Sequence, residues 1–140
     1  MKELTNIKFM YYNELIGGIE LKQNESNTPS VSLEDNLKKA LTELLILRLL
    51  SRREYYISEL TSTLHESSQG TLTIVFPYAA VYRLLESEFI IETRKRIAPD
   101  GRRRQYYRIT ERGQIYLAKL LDVYATFTRG VAMVLAEGDD

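Results

Sequence analysis

Residues 97–113 read Ile97-Ala98-Pro99-Asp100-Gly101-Arg102-Arg103-Arg104-Gln105-Tyr106-Tyr107-Arg108-Ile109-Thr110-Glu111-Arg112-Gly113. Pro99, Asp100 and Gly101 stand in the positions such residues favour in a type I turn. Phe89 to Ile97 before the turn and Arg102 to Ile109 after it are rich in β-branched and aromatic residues. Together they predict an antiparallel hairpin. From Arg94 onward it carries Arg94, Lys95, Arg96, Arg102, Arg103, Arg104 and Arg108, with Arg112 just beyond, against only Asp100 and Glu111.

That concentration stands out because the 140-residue chain has 19 Lys plus Arg and 19 Asp plus Glu, a net charge of zero. Residues 77–113 carry +4, whereas 1–32 carry −1, 33–76 carry −1 and 114–140 carry −2. A local excess of this kind attracts a polyanion even when the global charge is silent. The length and 44% apolar content suit one domain with a modest core and exclude a multidomain enzyme. With no Cys and one His, neither a disulfide framework nor a thiolate or His-based metal site is available, and no cofactor is expected. Lys2 and Glu3 are followed by no long apolar core, and the run Leu44-Leu45-Ile46-Leu47 is short. We therefore expect no membrane span or signal segment, and a cytoplasmic protein.

Upstream of the hairpin the pattern is helical. Ser32 is read as a cap, followed by Glu34 and Asp35 in the first turn and the stripe Leu33, Leu37, Leu41, Leu44, Leu45. A second stripe, Ile46, Leu47, Leu49 and Leu50, implies burial on more than one side, against the domain and against another copy. A shorter helix is expected from Ser58 as cap, through Leu60 and Leu64, with Ile57 before it and His65 on its surface. Thr71 to Ile74 alternates like a very short strand. A third helix near 75–87 tolerates Pro77 in its first turn and turns Val81, Leu84 and Leu85 inward, with Tyr78, Tyr82 and Arg83 outward.

Downstream, Thr110 is expected to cap a last helix reaching about Ala136. Its residues Leu117, Leu120, Leu121, Tyr124, Phe127, Val131 and Val134 recur at steps of three and four, like a coiled-coil seam. A twofold dimer is the simplest way to bury that stripe, with Leu37 and Leu41 of the first helix contributing. The first 32 residues hold an apolar-dense segment, Leu4 to Ile16, ended by Gly17-Gly18 and a polar linker at 23–30. They are either an ordinary loose terminus or an arm packing on a partner subunit. The expected fold is mainly α with a small β-hairpin: arm and linker (1–32), a winged helix-turn-helix (33–110), and a dimerisation helix with an acidic tail (111–140).

Helix, helix, helix, basic hairpin, long apolar helix is the order in which a third helix enters a major groove and a wing reaches the adjacent phosphates or minor groove. The stretch from Gly101 to Gly113 resembles the "G-x-R-(R/K)-x-Y-Y-x-(L/I)-T-x-x-G" motif of PadR-family transcriptional regulators. Tyr78-Ala79-Ala80-Val81-Tyr82-Arg83-Leu84-Leu85-Glu86, with Phe89-Ile90, is similar to that family's recognition helix. Ala79 departs from the family's usual Pro, and Glu88 from its usual Gly. The resemblance spans about residues 33–136. It implies a homodimeric regulator of double-stranded DNA, usually a repressor, often released by a small aromatic or hydrophobic effector.

For DNA contact the chain offers Arg102, Arg103 and Arg104 at the tip ahead of Arg94 or Arg108, because strand alternation lets only about half of these side chains face one way. Tyr78 and Tyr82 share a helix face with Arg83 beside them; one of the two Tyr is expected to pack inward. Thr71 and Thr73 either bond phosphates or cap the third helix. Of Tyr106 and Tyr107, one should be core and the other exposed. A rival reading is a winged-helix module used only for protein interaction, which need not retain Arg on the wing. No nucleophile-and-base constellation argues for an enzyme.

Overall fold

The computed structural model describes residues 29–138; the segment 4–16 and the start of its linker fall outside them. The described chain runs α1 (Pro29–Leu50), α2 (Ile57–Ser67), α3 (Pro77–Glu86), β1 (Ile90–Ile97), β2 (Arg103–Ile109) and α4 (Glu111–Ala136). This is the winged helix-turn-helix with a long C-terminal helix that the element order implied.

The C-terminal half of α1 is the hub. Ile46 and Leu47 are fully buried and Leu50 nearly so, meeting Leu60 and Leu64 of α2, Val81 and Leu84 of α3, and Ile90, Tyr107 and Ile109 of the hairpin. Each such aliphatic side chain contributes about 1.5–3 kcal/mol by leaving water, so α1's several apolar faces are accounted for within its own domain. Its N-terminal half is different: Leu33 and Leu37 are exposed.

Three local expectations are corrected. α1 begins at Pro29, so Ser32 lies inside it rather than capping it; a proline is tolerated in a first turn, where its missing N–H has no intrahelical partner. α2 begins at Ile57 with Tyr56, not Ser58, at the cap position, and the Tyr56 side chain makes no capping bond. Thr71 to Ile74 forms no strand. The Leu72 N–H donates to Ser68 Oγ at 2.9 Å, while Tyr55 occupies the place beside the hairpin, exchanging backbone bonds with Tyr107.

The hairpin register runs from Ile90↔Ile109 to Ile97↔Arg103, with Thr93 and Arg94 together opposite Tyr106. This bulge re-aims the distal half of β1. At the tip, Ala98 C=O accepts from Gly101 N–H at 2.9 Å, and Gly101 sits at φ +82°, the three-residue loop in which a type I turn is followed by a left-handed residue. Both Tyr106 and Tyr107 are buried, correcting the one-in, one-out expectation. Tyr107 enters the core, and Tyr106 is covered on the opposite face by Tyr56 and Arg96.

The two departures from the family pattern fall at the two ends of α3. Pro77 supplies the helix-start proline two residues before Ala79. Glu88 adopts φ +60°, with Phe89 N–H bonded to Leu84 C=O and Glu88 N–H to Leu85 C=O, both at 3.0 Å. That is a Schellman end carried by a residue other than glycine. Thr110 caps α4 as expected: its Oγ1 accepts from Gly113 N–H at 3.0 Å and donates to Glu88 C=O at 2.7 Å. Gly113 has no room for a side chain, since a Cβ there would drive into the Phe89 carbonyl oxygen and stand 2.8 Å from Ile109 Cγ1.

Candidate nucleic-acid interface

One face of α2 and the start of α3 border an open cleft of about 470 Å³ lined by Ile57, Ser58, Thr61, Ser62, His65, Glu66, Thr73, Pro77 and Tyr78. Its exposed surface is mostly apolar, and five of these nine residues carry hydroxyls, groups that can hydrogen-bond phosphate and sugar oxygens. Thr73 and Tyr78 are thus brought together, with Thr71 exposed just before them. Tyr82 is half-buried against the core, and Arg83 is held by Glu43 of α1 at 2.8 Å. Of the two Tyr singled out, Tyr78 is therefore the one that lines the cleft.

The wing adjoins the start of α2, where Tyr106 and Arg104 of β2 contact Tyr56, the residue just before the cleft-lining Ile57 and Ser58. Arg102, Arg103 and Arg108 are exposed. Arg104 is not equivalent to them. Its Nη2 and Nε both reach Asp100 Oδ2, at 2.7 and 3.1 Å, and its guanidinium lies over the Tyr56 ring at 5.2 Å. Arg96, directly opposite Arg104 in the register, stacks on Tyr106 at 3.8 Å and pairs with Glu54 at 3.4 Å. Tyr56 and Tyr106 meet edge to face, 5.4 Å between centroids. Sequence reasoning missed Tyr56 and the pairing roles of Arg96 and Asp100; only the cross-strand position of residues 96 and 104 hinted at them.

Titration follows the same contacts. The Arg102 N–H, and then the Arg104 guanidinium, hold the Asp100 carboxyl below its ordinary range. The bond to Asp100 raises Arg104 in return, with the Tyr56 and Tyr78 phenols adding to it. Burial, then the carboxylates of Asp100 and Glu59, push the Tyr56 phenol up. At neutral pH the cluster is a partly exposed ion pair beside a neutral phenol.

The stripe on α4 divides in two. Leu117 lies in the domain core and Leu120 packs against it, as does Leu41 of α1. Most of their surface is covered by their own domain, so Leu117, expected in the seam, has little surface left to offer a partner. From Leu121 onward every described residue of α4 is exposed, including Tyr124, Phe127, Val131 and Val134.

A model of the transcriptional regulator PadR-like family matches residues 46–119, from the second half of α1 into α4. The chain belongs to the PadR-like family of transcriptional regulators. A curated relative, an uncharacterized protein of Lysinibacillus sphaericus, is 32% identical over 82 residues, 58% of this chain and 75% of that protein. Among solved structures, a PadR family transcriptional regulator from Eggerthella lenta superposes with a TM-score of 0.64 at 22% identity, covering 79% of this chain and 91% of that one. A PadR-like transcriptional regulator from Bacillus cereus gives 0.58 at 24%, over 69% and 92%. These likenesses establish the PadR fold for the described residues. Among those residues no helix is long and apolar enough to cross a membrane, and no group of acidic or His side chains has the arrangement of a metal site.

Proposed function

We propose that this PadR-family protein is a dimeric, sequence-specific DNA-binding regulator, with α3 entering a major groove and the wing lying on the neighbouring phosphates. The observation that carries the reading is the exposure of Arg102, Arg103 and Arg108 on the hairpin of a chain with no net charge, beside a cleft at the start of α3 that bears hydroxyls. Exposed like charges repel one another; a polyanion converts that repulsion into affinity through counterion release. Thr71, Thr73 and Tyr78 supply phosphate and base-edge contacts, with Tyr82 and Arg83 on the flank of the same helix. A protein-interaction wing has no need of this charge.

Dimerisation follows from the projecting half of α4. Phe127 and Val134 are 69% and 68% exposed, and Leu121, Tyr124 and Val131 complete the stripe. A second copy buries such a surface by self-complementarity, with Leu37 at its edge, and two wings then address half-sites about one helical turn, roughly 34 Å, apart. We extend the proposal to repression relieved by a small aromatic or hydrophobic effector, on the strength of the family likeness. The exposed face of α4 that carries Thr126, Phe127, Gly130, Val131, Val134 and Leu135 would line such a site where the long helices of the two copies meet.

The test is fluorescence-anisotropy titration of a duplex from the DNA upstream of the protein's own gene against a scrambled duplex of equal length. Specific binding at least about a thousandfold tighter than to the scrambled duplex is expected. Equal affinities would remove sequence specificity, and no binding to either at low salt would leave the protein-interaction reading.

A further inference from the structure

The wing's arginines are of two kinds. Across the hairpin, Arg96 and Arg104 form a directly opposed pair of like charges, an arrangement that destabilises a sheet unless something compensates it. Here everything around the pair does so: Asp100 takes both the Nε and Nη2 of Arg104, Glu54 takes Arg96, and each guanidinium lies over a tyrosine ring, Tyr56 for Arg104 and Tyr106 for Arg96. The two rings touch each other. Glu54 and Tyr56 belong to the segment leading into α2, and Asp100 to the wing's tip. The cluster therefore ties the distal hairpin to the helix-turn-helix.

We infer that Arg104 and Arg96 are positioning residues that set the angle of the wing to the cleft before any nucleic acid arrives, leaving Arg102, Arg103 and Arg108 to meet phosphates. The inference rests on the DNA-binding reading above, but its geometry does not. Pre-setting the wing removes an ordering cost from association.

The sign of one substitution separates positioning from contact. Asp100→Asn removes a negative charge next to a polyanion and releases Arg104; if Arg104 were a phosphate contact held in reserve, binding would tighten. For a positioning cluster, binding weakens, by about tenfold if the wing must then be ordered on association. Asn retains a side-chain oxygen for the Arg102 N–H, which Asp100 Oδ1 accepts at 3.0 Å, so the turn itself is spared. Arg104→Ala is expected to weaken binding similarly with an unchanged dependence on salt, whereas loss of a phosphate contact lowers that slope by about one. Arg104→Lys keeps the charge but not the fork or the flat stack, and should resemble Arg104→Ala.

Amide hydrogen exchange of the DNA-free protein gives an independent reading. Residues 97–104 should exchange faster in Asp100→Asn and Arg104→Ala, while α1 amides, which report whether the domain is folded, stay protected. Tighter binding by Asp100→Asn, a lowered slope or rescue by Lys at position 104, or unchanged wing exchange in both variants would each overturn the inference. Failure of the wild-type protein to bind duplex would count against the proposed function alone, because the exchange result still decides the clamp.

Discussion

Replacing Gly113 by Ala sets two quantities of opposite sign against each other. Gly113 is the third residue of a 26-residue helix, where Ala is intrinsically favoured by about 1 kcal/mol; propensity alone makes the variant more stable. The structure requires the reverse. The new methyl would collide with the Phe89 carbonyl oxygen and crowd Ile109, and the obstacle on the Phe89 side is backbone that cannot rotate away. α4 would have to retreat from the turn after α3, pulling the Gly113 N–H from Thr110 Oγ1 and the Thr110 N–H from Phe89 C=O, each now at 3.0 Å. A lost cap costs about 1–2 kcal/mol, a lost backbone bond about 1 kcal/mol, and overpacking about 1–3 kcal/mol. After the propensity gain the net destabilisation is about 2–5 kcal/mol. Urea unfolding followed by circular dichroism, at matched protein concentration because an oligomer's stability depends on it, measures this directly. Gly130→Ala on the same helix, where within one chain a Cβ meets nothing within 4 Å, is the control when compared in the Phe127→Asp background, in which the neighbouring seam plays no part, and should gain up to about 1 kcal/mol. A Gly113→Ala protein as stable as wild type would show that α4 does not approach Phe89 as described.

Glu88→Gly should stabilise the fold by about 0.5–1 kcal/mol, as a left-handed backbone costs a side-chain-bearing residue about 1–2 kcal/mol and glycine little, less glycine's own entropy loss; the same urea titration reads it. Thr110→Val removes both the cap to Gly113 and the bond to Glu88 C=O, and is expected to cost about 1–2 kcal/mol. Tyr124→Asp or Phe127→Asp places a charge in the proposed seam and should yield monomers in sedimentation velocity; intact dimers of both variants would remove the seam from that part of α4.

What the sequence disclosed was local. The hairpin, its Pro-Asp-Gly turn and the Thr110 cap are short-range chemistry and stand where the pattern put them. The αL residue at position 88 was visible only as a departure from glycine; the backbone conformation kept, at a cost, shows that the turn outranks the residue. The stripe on α4 was legible as a stripe, but spacing does not say what covers each part, so Leu117 in the core and Phe127 in the open looked alike. Tyr55 taking the place beside β2, and Tyr56 closing over Tyr106, depend on contacts between residues about fifty positions apart, beyond any periodicity. For the same reason three consecutive arginines read as one patch, although Asp100 and Tyr56 withdraw Arg104 from it.

Whether the exposed guanidinium groups of the wing meet phosphates, as proposed, is read from log Kd against log salt concentration for wild type and an Arg102→Ala/Arg103→Ala variant on the upstream duplex. Weaker binding at low salt and a slope reduced by about two are expected of the variant. Two superimposable lines would refute the contact.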